Sequence, residues 1–473
     1  MRPRLGPFGQ LFARQPLGWT TSPGQQGPAL RRVLGWPALT AIGLGTMLGG
    51  IFPTIGAGAH AAGPGVVLAY VLSGLVSVCV ALCYAEFASM VPVAGSAYTY
   101  AYATLGELVA WVIGWDLILE YGLSVAPTAS SLSDYFQHMI ANVGLVLPAW
   151  AQTAHVGGAH PQIDLVAALV TLLITALVAI GIRESANVNV ALVLVQIVAM
   201  IVFIAVVAHA ISPANFHPFA PFGYHGVLAS TALVFFAYIG FDTVTVASEE
   251  AKRPERDVPI GIILALVLGG ILYVGLALCT VGVVPFGRLS EGAAMLDALG
   301  AVTKNHTFYW IVAIGGIAGN TTVMLTSLLG QVRIFYVMAR DRMLPPAVAR
   351  VHDVFRTPAR MTVITGAIVA VFAAVFPLTD LLTLVNIGTL AAFAIVCAGV
   401  LVLRVVNPSA KRPFRAPLLP MFSIAGAGVC LYLITGLEVA TWVRYGIWFA
   451  VGILVYALYG FRNSRLRINL PKP

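Results

Sequence analysis

The sequence predicts an all-α integral membrane protein with twelve transmembrane helices, arranged as a five-plus-five inverted repeat in which helices 1 and 6 are broken. The first observation is the composition: 59% of the 473 residues are hydrophobic, only 9% are charged, and the mean hydropathy is +0.92. Soluble domains carry about a quarter of charged residues. The other two observations are the spacing of the apolar stretches and the glycine interruptions in two of them.

Apolar stretches of about 20 residues are long enough to cross a bilayer, and the chain contains twelve of them. They lie near residues 37–60, 66–90, 105–140, 163–182, 187–208, 226–248, 258–284, 308–338, 359–376, 381–404, 416–436 and 442–461. The predicted organisation is a tail over 1–32, helices 1 to 5 over 33–208, helices 6 to 10 over 226–404, helices 11 and 12 over 405–461, and a tail over 462–473. The connections are too short to hold a separate soluble domain.

The positive charges predict the orientation, because cytoplasmic loops are enriched in Lys and Arg. With the N-terminus inside, all of the 26 Lys and Arg residues except Arg288, Lys304 and Arg444 fall on the cytoplasmic side. We therefore expect a multi-pass protein of the cell membrane with both termini cytoplasmic. The net charge of +8 then indicates contact with anionic membrane lipids and argues against a nucleic-acid partner.

Two of the apolar stretches are interrupted by glycine at corresponding positions of the two halves, at Gly49 and Gly50 in helix 1 and at Gly240 in helix 6. In lipid, backbone groups freed by an interruption need partners inside a protein cavity, where they can hold a ligand. Matched interruptions are typical of inverted-repeat secondary transporters. The alternative is that these glycines only let helices pack closely.

Motifs of a known kind are spread along the whole membrane region. They are Gly49-Gly50-Ile51-Phe52 in helix 1, Gly114-Trp115-Asp116 in helix 3, Tyr238-Ile239-Gly240-Phe241-Asp242 in helix 6, Pro254-Glu255-Arg256-Asp257 after helix 6, and Asn386-Ile387-Gly388-Thr389 in helix 10. Together they resemble the amino acid, polyamine and organocation permeases, and most of all the cationic amino acid transporter branch and its bacterial relatives. The resemblance implies the twelve-helix fold and the transport of free amino acids.

The first break supplies donors for the carboxylate of such a substrate. Gly49, Gly50 and Ile51, which follow Leu48, would present backbone amides at the start of a half-helix, where the helix dipole favours an anion. These positions match the α-carboxylate site that the resemblance implies. Glycine is expected here because a side chain would crowd a ligand that rests on the backbone.

The second break supplies acceptors for the ammonium group. The carbonyls of Phe236, Ala237 and Ile239 lie at the end of a half-helix and would accept hydrogen bonds from the substrate nitrogen. These positions match the α-amino site that the resemblance implies.

Acidic residues predict how a substrate side chain is recognised. No Lys or Arg lies between Val33 and Ile182, yet this stretch carries Glu86, Asp116 and Glu120 inside apolar spans. Ionisable groups in a membrane usually have a partner or a task. Because no basic residue is predicted at mid-membrane depth, we expect a proton, a hydrogen-bond donor or a cationic substrate to be the partner. Glu120 is the main candidate for a counter-charge; the alternative is a carboxyl group that is protonated or bonded to neighbouring helices.

Ser327 in helix 8 also favours a cationic substrate. The resemblance implies a bulkier apolar residue here in relatives that prefer neutral amino acids, and a small polar residue in the cationic branch. A short hydroxyl leaves room for a long side chain and offers it an acceptor. Simple helix packing is the alternative.

The chain departs from the family pattern in two places. Its first break is one residue shorter than the usual Gly-x-Gly-Ile-Phe, which predicts a tighter turn or an altered carboxylate site. Some members carry a proton on a lysine in helix 5, where this chain has Gln196. A glutamine does not exchange protons near neutral pH, so Glu120 and Asp242 are the remaining candidates for proton coupling, beside facilitated diffusion and exchange.

We therefore expect a secondary transporter that moves cationic amino acids, such as arginine, lysine or ornithine, by alternating access. The alternatives are a neutral amino acid or polyamine permease and a non-transporting amino acid sensor. We find no motif of an enzyme and expect no catalytic residue, cofactor or metal site. The expected partners are the free amino acid, with or without protons, and membrane lipids; a small membrane subunit or an oligomer stays open.

Overall fold

The computed structural model describes residues 34–90, 96–154, 162–180, 186–350, 352, 357–409 and 412–465. Within these ranges the regular secondary structure is helical, and Leu34 and Ala251 form an isolated bridge. The predicted tail over 1–32 and the last residues of the predicted tail over 462–473 lie outside the described residues.

The described residues up to 207 contain eight α-helices. They are α1 (Trp36–Leu48), α2 (Ile51–Ala62), α3 (Val66–Met90), α4 (Ser96–Thr104), α5 (Glu107–Leu123), α6 (Val125–Ala141), α7 (Leu165–Ile180) and α8 (Ala186–Val207). Predicted helix 1 is the pair α1 and α2, and predicted helix 3 is the pair α5 and α6, which are separated by Ser124.

The described residues after 207 contain ten more. They are α9 (Gly223–Val234), α10 (Thr243–Val246), α11 (Pro254–Val283), α12 (Ala294–Val302), α13 (His306–Arg340), α14 (Ala359–Val375), α15 (Leu378–Val406), α16 (Leu419–Thr435), α17 (Val439–Val455) and α18 (Phe461–Asn463). A 3₁₀ segment, Phe235–Tyr238, continues α9, and a π-helical segment, Tyr456–Gly460, continues α17. The sequence missed the two helices α4 and α12, which lie in connections.

Eight helical segments of the described chain are long and apolar enough to cross a membrane. They are Ile51–Met90, Glu107–Ala141, Val190–Ala210, Gly223–Thr245, Pro254–Val283, His306–Arg340, Leu378–Val406 and Val439–Asn463. Four shorter apolar helices accompany them: Trp36–Leu48, Leu165–Ile180, Ala359–Val375 and Leu419–Thr435. Eleven of these segments coincide, to within a few residues, with a predicted span or with part of one, whereas Ile51–Met90 joins the second half of predicted span 1 to span 2.

The two broken helices lie in the middle of the packed helices. α9 packs against α2 and α3, while α11 packs against α1 and α3. α13 runs beside α6 and α8, so it closes the space around the first break from the other side. The residues around both breaks are therefore shielded from lipid, as an interrupted helix requires.

One expectation about the buried acids is wrong. Glu86 has basic partners, because Arg404 donates from Nε at 2.9 Å and from Nη2 at 2.5 Å to its carboxylate. Arg412 Nε lies 3.5 Å from the same group, and the amide of Ala416 donates to it at 2.9 Å. The prediction failed because both arginines lie far from Glu86 in sequence: Arg404 is in the last turn of α15, which packs against α3, and Arg412 lies in the connection between α15 and α16.

Candidate functional site

The first break is a tight turn. α1 ends at Leu48 and α2 begins at Ile51, and both glycines between them keep helix-like dihedral angles, φ −65° and ψ −23° for Gly49 and φ −67° and ψ −15° for Gly50. The Gly50 amide donates to the Met47 carbonyl at 2.9 Å. The first break, which is one residue shorter than the family pattern, is thus a short kink. The Gly50 amide already donates to a carbonyl of the chain itself.

The two glycines of this turn face different neighbours. A Cβ atom at Gly49 would lie 2.4 Å from the Gly319 carbonyl oxygen of α13, so this glycine allows two helices to touch. A Cβ atom at Gly50 would lie 2.8 Å from the Ala237 Cα atom, so this glycine is where the two breaks meet. Close packing alone therefore explains the absence of a side chain at Gly49.

The second break is open and extended. After the 3₁₀ segment, Ile239 adopts extended angles, φ −64° and ψ 138°, and Gly240 has a φ of +113°, which side-chain-bearing residues rarely adopt. The chain becomes helical again only at Thr243. Of the predicted acceptors, the Phe236 carbonyl receives the Ile239 amide at 3.1 Å, and the Ala237 carbonyl receives the Tyr273 hydroxyl at 2.8 Å.

A cavity of about 30 Å³ lies between the breaks, α5 and α13. This is room for about two water molecules. Its wall includes five of the predicted site residues: Gly50, Glu120, Phe236, Ile239 and Ser327. It does not include six others: Leu48, Gly49, Ile51, Gln196, Ala237 and Asp242.

Seven further residues line the cavity, and none of them is a site residue predicted from the sequence, although Gly240 is the predicted interruption of helix 6. They are Thr46, Tyr121, Ser124, Gly240, Thr243, Val323 and Thr326. Several are near neighbours of predicted residues, and Ser124 lies one helical turn after Glu120, which is a signal that could have found it. The hydroxyls of Thr46 and Thr243 lie 2.9 Å apart, and the Thr46 hydroxyl is within hydrogen-bond distance of the Gly240 carbonyl, at 2.9 Å, and of the Gly43 carbonyl of its own helix, at 3.0 Å. Thr46 therefore connects the end of α1 with the second break.

Glu120 is the buried acid of the cavity wall. Its exposed fraction is 1%, and neither carboxylate oxygen has a hydrogen-bond partner among the described residues. The nearby Thr389 hydroxyl donates instead to the Val385 carbonyl at 3.1 Å. An unpartnered carboxyl group at this depth costs free energy unless a proton or a cation joins it.

The other two acids near Glu120 are held by tyrosines. Asp116, one turn earlier on α5, accepts from the Tyr445 hydroxyl at 3.1 Å and 3.2 Å. Asp242 in the second break accepts from the Tyr121 hydroxyl at 2.9 Å. Tyr121 lies on the cavity wall, so it connects Asp242 to the cavity by a single hydrogen bond.

Gln196 of α8 lies apart from the cavity, beside α13. It is fully buried, and both atoms of its amide lack a hydrogen-bond partner within the described part of the chain. A Cβ atom at Gly319 would lie 2.7 Å from the Gln196 Oε1 atom. Gly319 is also the contact of Gly49, so Gln196 and the first break pack against the same residue of α13.

The connection that contains α12 is fastened to the helices after the first break. His60 Nε2 of α2 lies 2.7 Å from the Leu289 carbonyl, and the Ser131 hydroxyl of α6 donates to the Gly292 carbonyl at 2.7 Å. Burial opposes ionisation of Asp297 in α12, but hydrogen bonds from His138 and Ser290 outweigh it and hold the pKa of Asp297 below its ordinary value. This connection is therefore tied to both broken helix 1 and helix 3.

Comparison with known proteins gives the family. The family model described as "Amino acid permease" matches residues 34–459. The chain is 43% identical to the methylthioribose transporter of Bacillus subtilis (strain 168), over 96% of this chain and 99% of that protein. It is 42% identical to the branched-chain amino acid permease BcaP of the same organism, over 93% of this chain and 95% of that protein.

A more distant relative is human. The chain is 36% identical to cationic amino acid transporter 4 of Homo sapiens, over 80% of this chain and 60% of that protein. The resemblance inferred from the motifs is thereby confirmed, and the relatives are named as transporters and permeases, not as enzymes. With its apolar helices, its two breaks and this match, the chain belongs to the amino acid permease family of the amino acid, polyamine and organocation superfamily, and is a multi-pass membrane protein.

Proposed function

We propose that this protein is a secondary transporter that carries free amino acids by alternating access, with a preference for cationic ones such as arginine, lysine and ornithine. The proposed architecture has twelve transmembrane helices with both termini cytoplasmic. Helices 1 to 5 and 6 to 10 form the inverted repeat over 33–208 and 226–404, and helices 11 and 12 follow over 405–461. Two breaks that meet in the interior, around a cavity, support this arrangement.

The observation that carries the cationic preference is the state of Glu120. It lies on the cavity wall, is buried, and has no partner among the described residues, whereas Asp116 on the same helix has one. A substrate with a positive side chain supplies the missing charge, and the hydroxyls of Ser124, Thr326 and Ser327 offer further acceptors to it.

The test is counterflow of radiolabelled amino acids into liposomes with the purified protein. Glu120→Gln should lower the affinity for lysine and arginine by about tenfold or more, because a charge-assisted contact is lost, while the affinity for alanine changes little. Asp116→Asn is the matched control, since it removes an acid of the same helix that already has a partner. Equal losses for lysine and alanine in Glu120→Gln contradict the counter-charge role.

A neutral amino acid is the second candidate substrate. The cavity is small, and Phe236, Ile239 and Val323 make part of its wall apolar. One relative is named a branched-chain amino acid permease. In this case Glu120 would hold a proton, and the counterflow panel would favour leucine or alanine over lysine in the unaltered protein.

The same panel separates the remaining alternatives. A polyamine lacks a carboxylate, so cadaverine competing as well as lysine would indicate a polyamine permease. Methylthioribose belongs in the panel because one relative is named for its transport. A protein that is stabilised by amino acids in a thermal-shift assay but shows no counterflow would be a sensor.

Proton coupling, if present, is proposed to use Glu120 or Asp242. Tyr121 joins Asp242 to the cavity, and Glu120 is on its wall, so a proton on either acid can respond to an arriving substrate. Gln196 has no exchangeable charge, so we propose that uptake is independent of sodium and only weakly dependent on a pH gradient.

A further inference from the structure

Tyr273 of α11 touches both breaks at once. Its side chain is fully buried, and its hydroxyl lies 2.6 Å from the Met47 carbonyl and 2.8 Å from the Ala237 carbonyl. Met47 is in the last turn of α1, and Ala237 is in the 3₁₀ segment that leads into the second break. One hydroxyl group therefore joins the ends of the two half-helices.

The three oxygen atoms share a single proton. A phenol has one O–H, and a carbonyl oxygen can only accept. The Met47 carbonyl also accepts from the Gly50 amide at 2.9 Å, so it has a second donor. When a further donor binds the Ala237 carbonyl, the Tyr273 hydroxyl can donate to the Met47 carbonyl alone, and both carbonyls keep a hydrogen bond.

The position of Tyr273 is fixed by packing. Its ring centroid lies 5.8 Å from that of Tyr70 and 5.2 Å from that of Tyr238, the latter at 83°. One turn earlier on α11, a Cβ atom at Gly269 would lie 2.0 Å from the Met47 Cε atom, so glycine there lets α1 come close. The hydroxyl thus has little freedom to leave the two carbonyls.

We propose that Tyr273 is a positioning residue that couples the two breaks and sets the Ala237 carbonyl for the substrate ammonium. This role rests on the proposed transport of amino acids. An ammonium in the cavity reaches the Ala237 carbonyl by way of its neighbour Phe236, which lines the cavity, and donates to it. The Tyr273 hydroxyl then serves Met47 alone, and the change at the second break is passed to the first. Tyr273 itself carries no charge and need not touch the substrate.

The experiment compares Tyr273→Phe with Tyr238→Phe. Both variants remove one buried phenol hydroxyl and keep the ring; the Tyr238 hydroxyl donates to the Tyr70 carbonyl at 2.8 Å, away from Met47 and Ala237. Tyr273→Phe should speed amide hydrogen exchange in both 43–55 and 235–243, and raise KM for amino acid counterflow about fivefold to tenfold with a smaller effect on the maximal rate. Tyr238→Phe should change KM less than about twofold, since the Tyr238 hydroxyl donates to a carbonyl of α3 and does not join the two breaks.

The two readouts separate the role of Tyr273 from the proposed function. Faster exchange at both breaks in a protein that carries no amino acid would retain the coupling and overturn the transport of amino acids. Faster exchange at one break only, or identical behaviour of the two variants in a protein that does transport, would overturn the coupling. A raised KM without any change in exchange would also overturn it, because the hydroxyl would then act on the substrate alone.

Discussion

The two breaks have the same signature in sequence, glycine within an apolar span, but different geometry. In the first, Gly49 and Gly50 both keep helix-like angles and the turn closes on itself through the Gly50 amide. In the second, Ile239 is extended and Gly240 has a φ of +113°. The first break is thus a kink that packs on α13, and the second is the true opening in the backbone.

This difference teaches where glycine is needed for packing and where it is needed for conformation. At Gly49 the requirement is space, because the Gly319 carbonyl occupies the place of a Cβ atom. At Gly240 the requirement is a positive φ, and the space nearby is less restricted. Substitutions at the two positions should therefore fail for different reasons.

The largest effect is expected from Gly49→Ala. Its Cβ atom would lie 2.4 Å from a backbone oxygen, which cannot move without displacing α13, so we expect a loss of about 3 kcal/mol of stability. Thermal unfolding in detergent measures it. Gly300→Ala in α12 is the control, because nothing lies within 4 Å of the added atom. Equal melting temperatures for the two variants would remove the packing explanation of the first break.

A smaller loss is expected from Gly240→Ala. The positive φ costs an L-residue about 1–2 kcal/mol, and the Cβ contacts, at 3.2 Å to Thr46, add to it. Because the break itself must shift, affinity for the amino acid should fall together with stability. Gly446→Ala in α17, with open space around it, is the control. Unchanged affinity in Gly240→Ala would show that the second break does not hold the substrate.

Thr46→Val tests the connection between the breaks. The substitution keeps the shape but removes the hydroxyl that donates to Gly240, so we expect a loss of about 1 kcal/mol and a fewfold weaker binding. Thr40→Val is matched, since the Thr40 hydroxyl donates only within α1, to Trp36 at 2.8 Å. Isothermal titration with the best substrate of the counterflow panel compares the two. Equal weakening would mean that the bridge of Thr46 to Gly240 contributes nothing of its own.

The smallest effect is expected from Gln196→Met. The buried Gln196 amide has no described hydrogen-bond partner and so contributes no hydrogen bond to stability. An apolar side chain of similar length should therefore leave the stability unchanged or slightly higher. Uptake should remain independent of sodium and only weakly dependent on pH. A strong loss of pH-driven uptake in this variant would place a proton pathway at the first break, contrary to the role assigned to Gln196.

The sequence was a good guide to local features of this molecule. The helices follow the apolar stretches because a membrane permits few other structures. The glycines mark both interruptions because the lack of a side chain, which gives space at one break and backbone freedom at the other, is a property of the residue itself. Glu120 could also be singled out, since an acid deep in an apolar span is unusual wherever it lies. These inferences need only the residue and its near neighbours in the chain.

The features that escaped prediction all depend on distant partners. The length of the first break suggested a tighter turn, but that Gly49 meets Gly319 follows only from how α13 packs. No pattern in the sequence indicates that the Tyr273 hydroxyl contacts two carbonyls on other helices. Glu86 was expected to lack a basic partner, because its arginine is 318 positions away.

The ion pairs of Glu86 have a consequence for biosynthesis. The ribosome delivers α3 to the membrane long before it makes Arg404 and Arg412, so the young chain holds an acid whose counter-ions do not yet exist. Until α15 and its following connection arrive, that acid must keep a proton or stay at the water boundary. The final packing of α3 therefore depends on the synthesis of α15 and the connection after it. In a chain that ends before Arg404, Glu86 has neither of its two arginine partners.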